Sequence, residues 1–186
     1  IELGYGTPKD FEDFVYLSQV MQADGIALAA LHHRASRPYT MGSLYWQLND
    51  VWPGASWSSV DYFGRWKALH YAARRFFAPV TVAALRDEGR TRVRLLNDGA
   101  ARDARWRLRV MDMDGKVLRR REQAVSLAAA GVTSIGDFTD AELLAGADPK
   151  RTVTVFELLQ DGKVSARQVV GFAEAKDQVL PRQKLK

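Results

Sequence analysis

The spacing of apolar residues changes once along the chain, near residue 78. Before this point, apolar residues recur every three or four positions from Phe11 to Leu31, and the pattern stops before Pro38. This periodicity predicts an amphipathic helix. A second helical pattern follows in RWKALHYAARRFF, residues 65–77, where apolar residues again share one side.

The sequence TPKD, residues 7–10, precedes the first helical pattern. Thr7 is a good N-cap, Pro8 suits the first helical position, and Asp10 at the third completes a pattern like a capping box. We therefore expect the helix to start directly after Thr7. Gly25 is expected to kink or loosen it.

Between the two helical patterns lies MGSLYWQL, residues 41–48, which is short and mainly apolar and aromatic. Such a run predicts a buried strand, and the polar residues Asn49 and Asp50 are expected to end it. The first 78 residues therefore read as helix, strand, loop and helix.

After residue 78 the apolar residues alternate with polar ones. Strand-like runs are separated by turn signals at Asn97-Asp98-Gly99, Asp114-Gly115 and Asp161-Gly162. Six or seven short strands in about a hundred residues are typical of an immunoglobulin-like β-sandwich. One helical turn is expected at residues 139–144. The polar tail, residues 175–186, is predicted to be a linker to a further domain.

Composition narrows the class of protein. The chain has 186 residues, of which 47% are hydrophobic, and no cysteine. No run of about eighteen apolar residues is present, so we expect no membrane span. The first ten residues do not resemble a signal peptide, and the chain starts with Ile, which suggests a processed or partial chain. A periplasmic or secreted bacterial location is favoured, and a cytoplasmic one stays open.

The net charge of +5 belongs to the second part of the chain. Residues 1–78 hold seven basic and seven acidic residues, so they are neutral. Later arginines alternate along strand-like runs, at 90, 92 and 94 and at 105, 107 and 109. This is the pattern of one solvated sheet face, and we expect no nucleic-acid partner.

Few residues are arranged for catalysis. His32 and His33 are adjacent, so they cannot form the i, i+4 pair of a helical metal site, and we expect neither metal nor cofactor. No glycine-rich phosphate loop or serine-hydrolase elbow is present. Asp50 is the one acid of residues 1–78 at a plausible site mouth, with Asp61 second. Glycoside hydrolysis needs two carboxylates, so composition provides no complete pair.

Trp46 lies near the end of the predicted strand and has two interpretations. Its ring could belong to the core, which composition alone favours, since aromatic residues more often pack than bind. Alternatively, it could be a flat binding surface at the mouth of an α/β barrel strand. Asn49 and Asp50 could likewise cap a turn or contact a ligand.

The order of motifs supplies a further argument. YWQLND, a WP pair, SWSS, DY, GRWKALHY and ARRFFAP follow one another within residues 41–80. This stretch closely resembles the end of the catalytic barrel in β-mannosidases of glycoside hydrolase family 2, together with YLSQVMQADGI in the preceding helix. The resemblance is strong to about residue 80 and weaker over the strand-rich part.

The resemblance implies the last strand and helices of a TIM (β/α)8 barrel in residues 1–78, followed by an immunoglobulin-like β-sandwich in residues 79–174. It implies a retaining exo-β-mannosidase that removes terminal β-mannose and uses two glutamates, both upstream of this chain. Glu2 does not match the nucleophile motif. No catalytic residue is therefore expected here, and the upstream part of the same enzyme is the expected partner.

The resemblance also implies binding residues. Trp46 matches the tryptophan that forms the floor of the mannose subsite. Asn49, Asp50 and Trp52 follow in the same motif and are expected to line or support the pocket. Trp57, Trp66 and Tyr71 are assigned to packing of the last barrel helix.

Two alternatives stay open. A related enzyme acting on β-glucosaminides or β-galactosides could share the barrel, because fold does not fix substrate. Alternatively, the strand-rich part could be a non-catalytic carbohydrate-binding or structural module. Its one tryptophan, Trp106, lies inside an alternating run and is expected in the core.

Overall fold

The computed structural model describes residues 1–181 and divides the chain into two compact units, Ile1–Ala78 and Pro79–Lys186. Residues 182–186, the end of the predicted linker, lie outside the described residues. Earlier in that predicted linker, Ala175–Asp177 form one 3₁₀ turn, and the Val179 N–H donates to the Lys150 carbonyl at 2.8 Å.

The first unit contains three helices. They are α1, Glu2–Tyr5, α2, Phe11–Ala35, and α3, Ala68–Phe76. The two predicted helices are confirmed, and α2 ends before Pro38 and runs through Gly25 without interruption. The predicted start after Thr7 is wrong, because Asp10 is the N-cap and its carboxylate accepts from the Asp13 N–H at 2.8 Å. An acceptor there satisfies one of the amides that a helix start leaves unpaired.

Helices α2 and α3 pack together through a small core. Leu69, Ala72, Ala73 and Phe76 of α3 are buried, as expected from their spacing. Trp66, however, lies before α3 and is half exposed. The buried Arg34 of α2 donates to the carbonyls of Phe76 and Ala78 at the end of α3. A guanidinium at a helix C-terminus satisfies free carbonyls and interacts favourably with the helix dipole.

The predicted buried strand at residues 41–48 is not formed. The segment belongs to no sheet, the chain bends at residues 46 and 48, and Leu44 is fully exposed. Within residues 1–181, no backbone N–H group of residues 41–48 donates a hydrogen bond. A strand exists only when a neighbouring strand accepts and donates these bonds, and residues 1–181 provide none here.

The second unit is a sandwich of seven strands in two antiparallel sheets. Strands β1, Val80–Asp87, β2, Arg90–Asn97, and β5, Gly131–Thr139, form one sheet in the order β1-β2-β5. Strands β3, Arg102–Asp112, β4, Val117–Leu127, β6, Thr152–Gln160, and β7, Lys163–Gly171, form the other in the order β4-β3-β6-β7. The predicted helical turn is confirmed as α4, Asp140–Leu144.

The core of the sandwich lies between the two sheets. Val82 and Val93 of the first sheet belong to the same buried cluster as Trp106, Leu108 and Phe156 of the second. Trp106 is 3% exposed, so its predicted place in the core is confirmed. Face-to-face packing of two sheets through alternating side chains is the arrangement of immunoglobulin-like domains.

The turn signals have two different outcomes. Asp114-Gly115 and Asp161-Gly162 join hairpins β3-β4 and β6-β7, as predicted. Asn97 instead ends β2 where the chain crosses to the other sheet. Its buried amide donates to the carbonyls of Gly99, Ala100 and Ala128 and accepts from the Gly99 N–H. This side chain therefore satisfies backbone groups that a sheet-to-sheet crossing leaves unpaired.

The alternating arginines lie on the outer faces of the sheets, as expected. Arg107 and Arg109 of β3 both bind Glu157 of β6, with nitrogen to oxygen distances of 2.6 and 2.7 Å. Glu157 is 2% exposed. Burial raises the pKa of this carboxyl, but hydrogen bonds from the two guanidinium groups outweigh it, and the pKa lies below the ordinary value.

Helix α2 has the length and composition of a membrane-spanning helix, with a mean hydropathy of 1.3 over eighteen residues. Core helices of soluble proteins can have the same property. Besides Arg34, further polar side chains of α2 form hydrogen bonds with the rest of the unit. Asp24 accepts from the Tyr5 hydroxyl, Gln22 donates to the Trp57 carbonyl, and Gln19 accepts from the Ala68 N–H. These contacts favour protein surroundings for this helix.

Candidate functional site

An open cavity of about 1200 Å³ lies between α2 and the loop that follows Trp46. The N-terminal turns of α2 form one wall, and residues 46–57 form the other. Its lining is largely apolar and aromatic, with a few polar groups, which is the usual chemistry of a small-molecule site. The lining includes Phe11, Phe14, Val15, Gln22, Trp46, Gln47, Asp50, Trp52, Trp57 and Lys67.

Two of the predicted binding residues present their rings to this cavity. Trp46 is 75% exposed and Trp52 is 71% exposed. The peptide bond between Trp46 and Gln47 is cis. Composition favoured a core position for Trp46, but within residues 1–181 its ring is not covered. Asn49 does not line the cavity, and its side chain makes a local hydrogen bond to the Asp50 carbonyl at 3.1 Å.

Asp50 is held in a polar network beneath the loop. Its side chain is 4% exposed, and one carboxylate oxygen lies 3.1 Å from the Lys67 ammonium nitrogen. The other oxygen accepts from the Ser56 hydroxyl. Lys67 also donates to the Ser58 hydroxyl at 2.8 Å. Both oxygens of Asp50 are therefore occupied by neighbours of the same loop.

The same network determines the charge of Asp50. Hydrogen bonds from the Ser56 and Ser58 hydroxyls, and then from Lys67, lower the pKa of the carboxyl against the opposing effect of burial. Asp50 is therefore ionised at neutral pH. A general acid must carry a proton at working pH, so this geometry suits a structural anchor of the loop rather than a proton donor.

Asp61, the second acidic candidate, is bound to Arg65. Burial raises the pKa of Asp61, but hydrogen bonds from the Arg65 backbone and guanidinium outweigh it and lower the pKa. The guanidinium nitrogen lies 2.6 Å from the carboxylate. Asp61 also lines the cavity, but its carboxylate closes the turn at residues 61–65.

Ser59 joins three parts of the unit, and sequence reasoning did not single it out. Its hydroxyl oxygen lies 2.9 Å from the Tyr45 hydroxyl, 2.9 Å from the Leu48 carbonyl and 3.0 Å from His70 Nδ1. Its N–H donates to the Gln47 carbonyl at 3.0 Å. The side chain is completely buried. The only sequence signal was membership of the SWSS motif.

Metal binding has no support within residues 1–181. These residues contain no group of three or more His, Asp or Glu side chains placed to hold an ion. His33 Nδ1 lies 2.7 Å from the Ser43 hydroxyl, and His70 contacts Ser59.

The described part of the sandwich, residues 79–181, has no exposed aromatic side chain. Its aromatic residues are Trp106, Phe138, Phe156 and Phe172, and each is buried or packed against the core. Sugar binding by a sheet surface generally needs a flat exposed ring, since the ring meets the C–H face of the sugar. Residues 79–181 present no exposed ring of this kind.

Comparison with protein families supports the assignment of the second unit. Residues 92–177 match the family model of the Mannosidase Ig/CBM-like domain. The matched range begins in β2 and ends with the 3₁₀ turn at Ala175–Asp177.

Known relatives extend the similarity to both units. The β-mannosidase of Mus musculus is 49% identical over 88 residues, which is 44% of this chain and 10% of that protein. β-Mannosidase A of Aspergillus terreus is 30% identical over 168 residues, covering 82% of this chain and 18% of that protein. The chain therefore spans less than a fifth of the length of these relatives.

A solved structure has the same arrangement of elements. The β-D-mannosidase of Dictyoglomus thermophilum matches 96% of this chain with a TM-score of 0.85 and 25% identity, and the match covers 22% of that protein. The exo-chitosanase of Amycolatopsis orientalis shares the fold, with a TM-score of 0.71 and 21% identity over 92% of this chain. Taken together, these comparisons show that both units are similar to one region of β-mannosidases.

Proposed function

We propose that this chain is the C-terminal part of the catalytic barrel, with the following sandwich, of a retaining exo-β-mannosidase. The complete polypeptide, here called the parent enzyme, would carry the catalytic glutamates upstream of Ile1. In this proposal Trp46 forms the floor of the mannose subsite. The observation that carries it is the exposed Trp46 ring at the cavity wall. Backbone hydrogen bonds hold Gln47 and Leu48 after it, and the Tyr45 side chain is held before it.

The apolar surface of the first unit supports the upstream partner. Large apolar side chains that a soluble protein normally buries are exposed on α1 and α2. Each would lose contact with water if the rest of a barrel packed on this face, at about 25 cal/mol per Å² of apolar area. Exposed patches of this kind mark interaction sites. The residues are Leu3, Phe11, Phe14, Tyr16, Met21 and Leu28.

The segment 41–48 supports the same partner by a different argument. Its backbone N–H groups have no acceptors among residues 1–181, and its sequence is mainly apolar. A barrel strand pairs on both sides, so it would have unpaired backbone amides when its neighbours are missing. Adjacent upstream strands would supply the missing hydrogen bonds.

The role of Trp46 follows from the chemistry of a sugar ring. One face of mannose presents C–H groups, and a fixed aromatic plane binds that face, excludes water and aligns the anomeric carbon. Trp52 lines the same cavity and would extend the apolar wall. Asp50 would support the pocket through Lys67 and Ser56 without taking part in proton transfer.

The catalytic pair would come from the upstream part. A retaining mechanism places two carboxyl groups about 5 to 5.5 Å apart, one as nucleophile and one as acid and base. Asp50 and Asp61 are each engaged by a cation of their own loop. Neither carboxylate is therefore free to attack an anomeric carbon.

The test is hydrolysis of aryl β-glycosides by the purified parent enzyme. We expect kcat/KM for the β-mannoside to exceed the values for the β-glucosaminide and the β-galactoside. Higher activity on either of the other two sugars would replace the mannosidase assignment with that of a related family 2 enzyme. No activity on any of them would contradict a glycosidase role.

Variants of Trp46 test whether its ring is the sugar platform, that is, the flat surface on which the mannose ring binds. Trp46→Ala should lower kcat/KM for the aryl β-mannoside by about 100-fold, since loss of substrate alignment can cost this much. Trp46→Phe keeps a flat ring and should retain more activity. Phe63→Ala is a matched control, because Phe63 is also an exposed ring but does not line the cavity. Wild-type activity in Trp46→Ala would overturn the platform role.

A further inference from the structure

The position of Trp46 depends on residues other than itself. Among residues 1–181 its indole has no hydrogen-bond partner, and its ring is mostly exposed. The contacts that hold its neighbours are made by the Tyr45 hydroxyl and by the carbonyls of Gln47 and Leu48. All three of these residues are bound to the same short segment, Ser59–Val60.

The contacts to this segment are made on both sides of Trp46. Before it, the Tyr45 hydroxyl lies 2.9 Å from the Ser59 hydroxyl oxygen. After it, the Ser59 N–H donates to the Gln47 carbonyl at 3.0 Å, and the Val60 N–H donates to the Leu48 carbonyl at 2.8 Å. The Ser59 hydroxyl also donates to the Leu48 carbonyl.

Ser59 is in turn held by His70 of α3. A serine hydroxyl has one proton to donate and two lone pairs to accept. The Leu48 carbonyl can only accept, so the Ser59 hydroxyl must donate its one proton to Leu48. Its lone pairs then accept from the Tyr45 hydroxyl and from His70, which requires the tautomer with a hydrogen on Nδ1. Trp66 packs against the His70 ring, with centroids 4.4 Å apart.

We propose that Ser59 and His70 are positioning residues that fix Trp46 through its neighbours, the Tyr45 side chain and the backbone of Gln47 and Leu48. This inference rests on the proposed function, in which Trp46 is the sugar platform. The contacts run from α3 through His70 to Ser59, and from Ser59 to both neighbours of Trp46. Ser59 and His70 do not line the cavity, so they act without touching substrate.

Kinetics of the parent enzyme on an aryl β-mannoside test the inference. Ser59→Ala should lower kcat/KM by about 10-fold, because small displacements of a positioning group reduce rate strongly. His70→Phe should have a similar effect. His70→Asn can place an amide N–H near the position of Nδ1, and it should restore activity to within about threefold of wild type.

A double-mutant cycle separates positioning from general destabilisation. If Ser59 acts through Trp46, Ser59→Ala should change kcat/KM by less than about twofold in a Trp46→Ala background. An equal loss of kcat/KM in the wild-type and Trp46→Ala backgrounds would overturn the inference. It would not contradict the role of Trp46 as the sugar platform. Asn97→Ala is the control, because it removes buried hydrogen bonds in the sandwich and should leave kcat/KM within about twofold of wild type.

A spectroscopic measurement keeps the inference testable even if the parent enzyme has no β-mannosidase activity. The chain is labelled with 5-fluorotryptophan, and the Trp46 signal is assigned by Trp46→Phe. Ser59→Ala should shift or broaden the ¹⁹F resonance of Trp46 and leave that of Trp106 unchanged. An unchanged Trp46 resonance would contradict the inference, whereas loss of mannoside hydrolysis in the wild type would contradict only the proposed function.

Discussion

The two units of this chain use apolar residues in opposite ways. Within residues 1–181, nineteen of the 26 fully buried apolar residues lie in the sandwich, and twenty of the 26 large exposed apolar residues lie in the first unit. The sandwich has two apolar sheet faces that cover each other. The first unit has an apolar helix face and an apolar extended segment that nothing within residues 1–181 covers.

This difference shows whether each unit covers its own apolar faces. A domain is stable when its own elements bury each other's apolar faces. The sandwich meets this condition with two sheets, whereas the first unit has two principal helices and no sheet. The first unit therefore carries the surface through which it would join a larger barrel, and the same surface contains the proposed sugar platform.

The largest expected effect comes from separating the units. Residues 79–181 expressed alone should be monomeric and unfold cooperatively, because their core is self-contained. Residues 1–78 expressed alone should aggregate or lack a cooperative transition. Circular dichroism melting with size-exclusion chromatography measures both outcomes. A soluble, cooperatively folding fragment 1–78 would break the comparison.

Within the sandwich, Trp106→Ala should have the largest effect on stability. Removing a buried tryptophan leaves a cavity and costs about 3–5 kcal/mol of unfolding free energy. Chemical denaturation of residues 79–181 measures this value. The control is Arg105→Ala at the neighbouring exposed position, which should cost less than about 1 kcal/mol. Similar losses for both variants would mean that the two faces of β3 are not distinguished by burial.

Asn97→Ala should cost less, about 1–3 kcal/mol, because it leaves buried carbonyls at the sheet crossing without a donor. The loss should be visible in the same denaturation experiment. Equal stability of Asn97→Ala and wild type would contradict the stabilising role of the Asn97 side chain at the crossing between the two sheets.

The smallest expected effect is that of Glu157 on the pH dependence of the stability of the sandwich. The pKa of Glu157 is lower in the folded sandwich than its ordinary value, so its ion pairs with Arg107 and Arg109 stabilise the fold above the unfolded pKa. This stability should be lost as pH falls from the unfolded pKa through the lower folded pKa. Glu157→Gln should flatten that acid limb in melting curves. An unchanged acid limb would show that Glu157 is not the group responsible.

The sandwich could be predicted from sequence because its signals are local. The alternation along β2 and β3 and the Asp-Gly pairs are recognised from neighbouring residues in the sequence. Strand β5, Gly131–Thr139, has no alternating pattern that would predict it, since it contains two glycines and pairs with β2 through a register shift between Val93 and Arg94. Irregular pairing removes the alternation on which the prediction depends.

The first unit could be predicted only in part, for a physical reason. Its helices follow from periodicity, but a strand at residues 41–48 requires hydrogen bonds to partners that residues 1–181 do not include. The network of Ser59, Tyr45 and His70 joins residues up to 25 positions apart, and no single residue type signals it. Trp46 was selected by the order of the surrounding motif, because composition alone favoured a core position.

Hydrogen exchange at residues 41–48 tests the central claim, that the first unit is part of a larger barrel. The account predicts that these amides exchange on the order of 100-fold more slowly in the parent enzyme than in this chain alone, because upstream strands would then accept their hydrogen bonds. The amides of β3 and β6 should exchange at similar rates in both. Equally fast exchange of residues 41–48 in the two proteins would contradict the account.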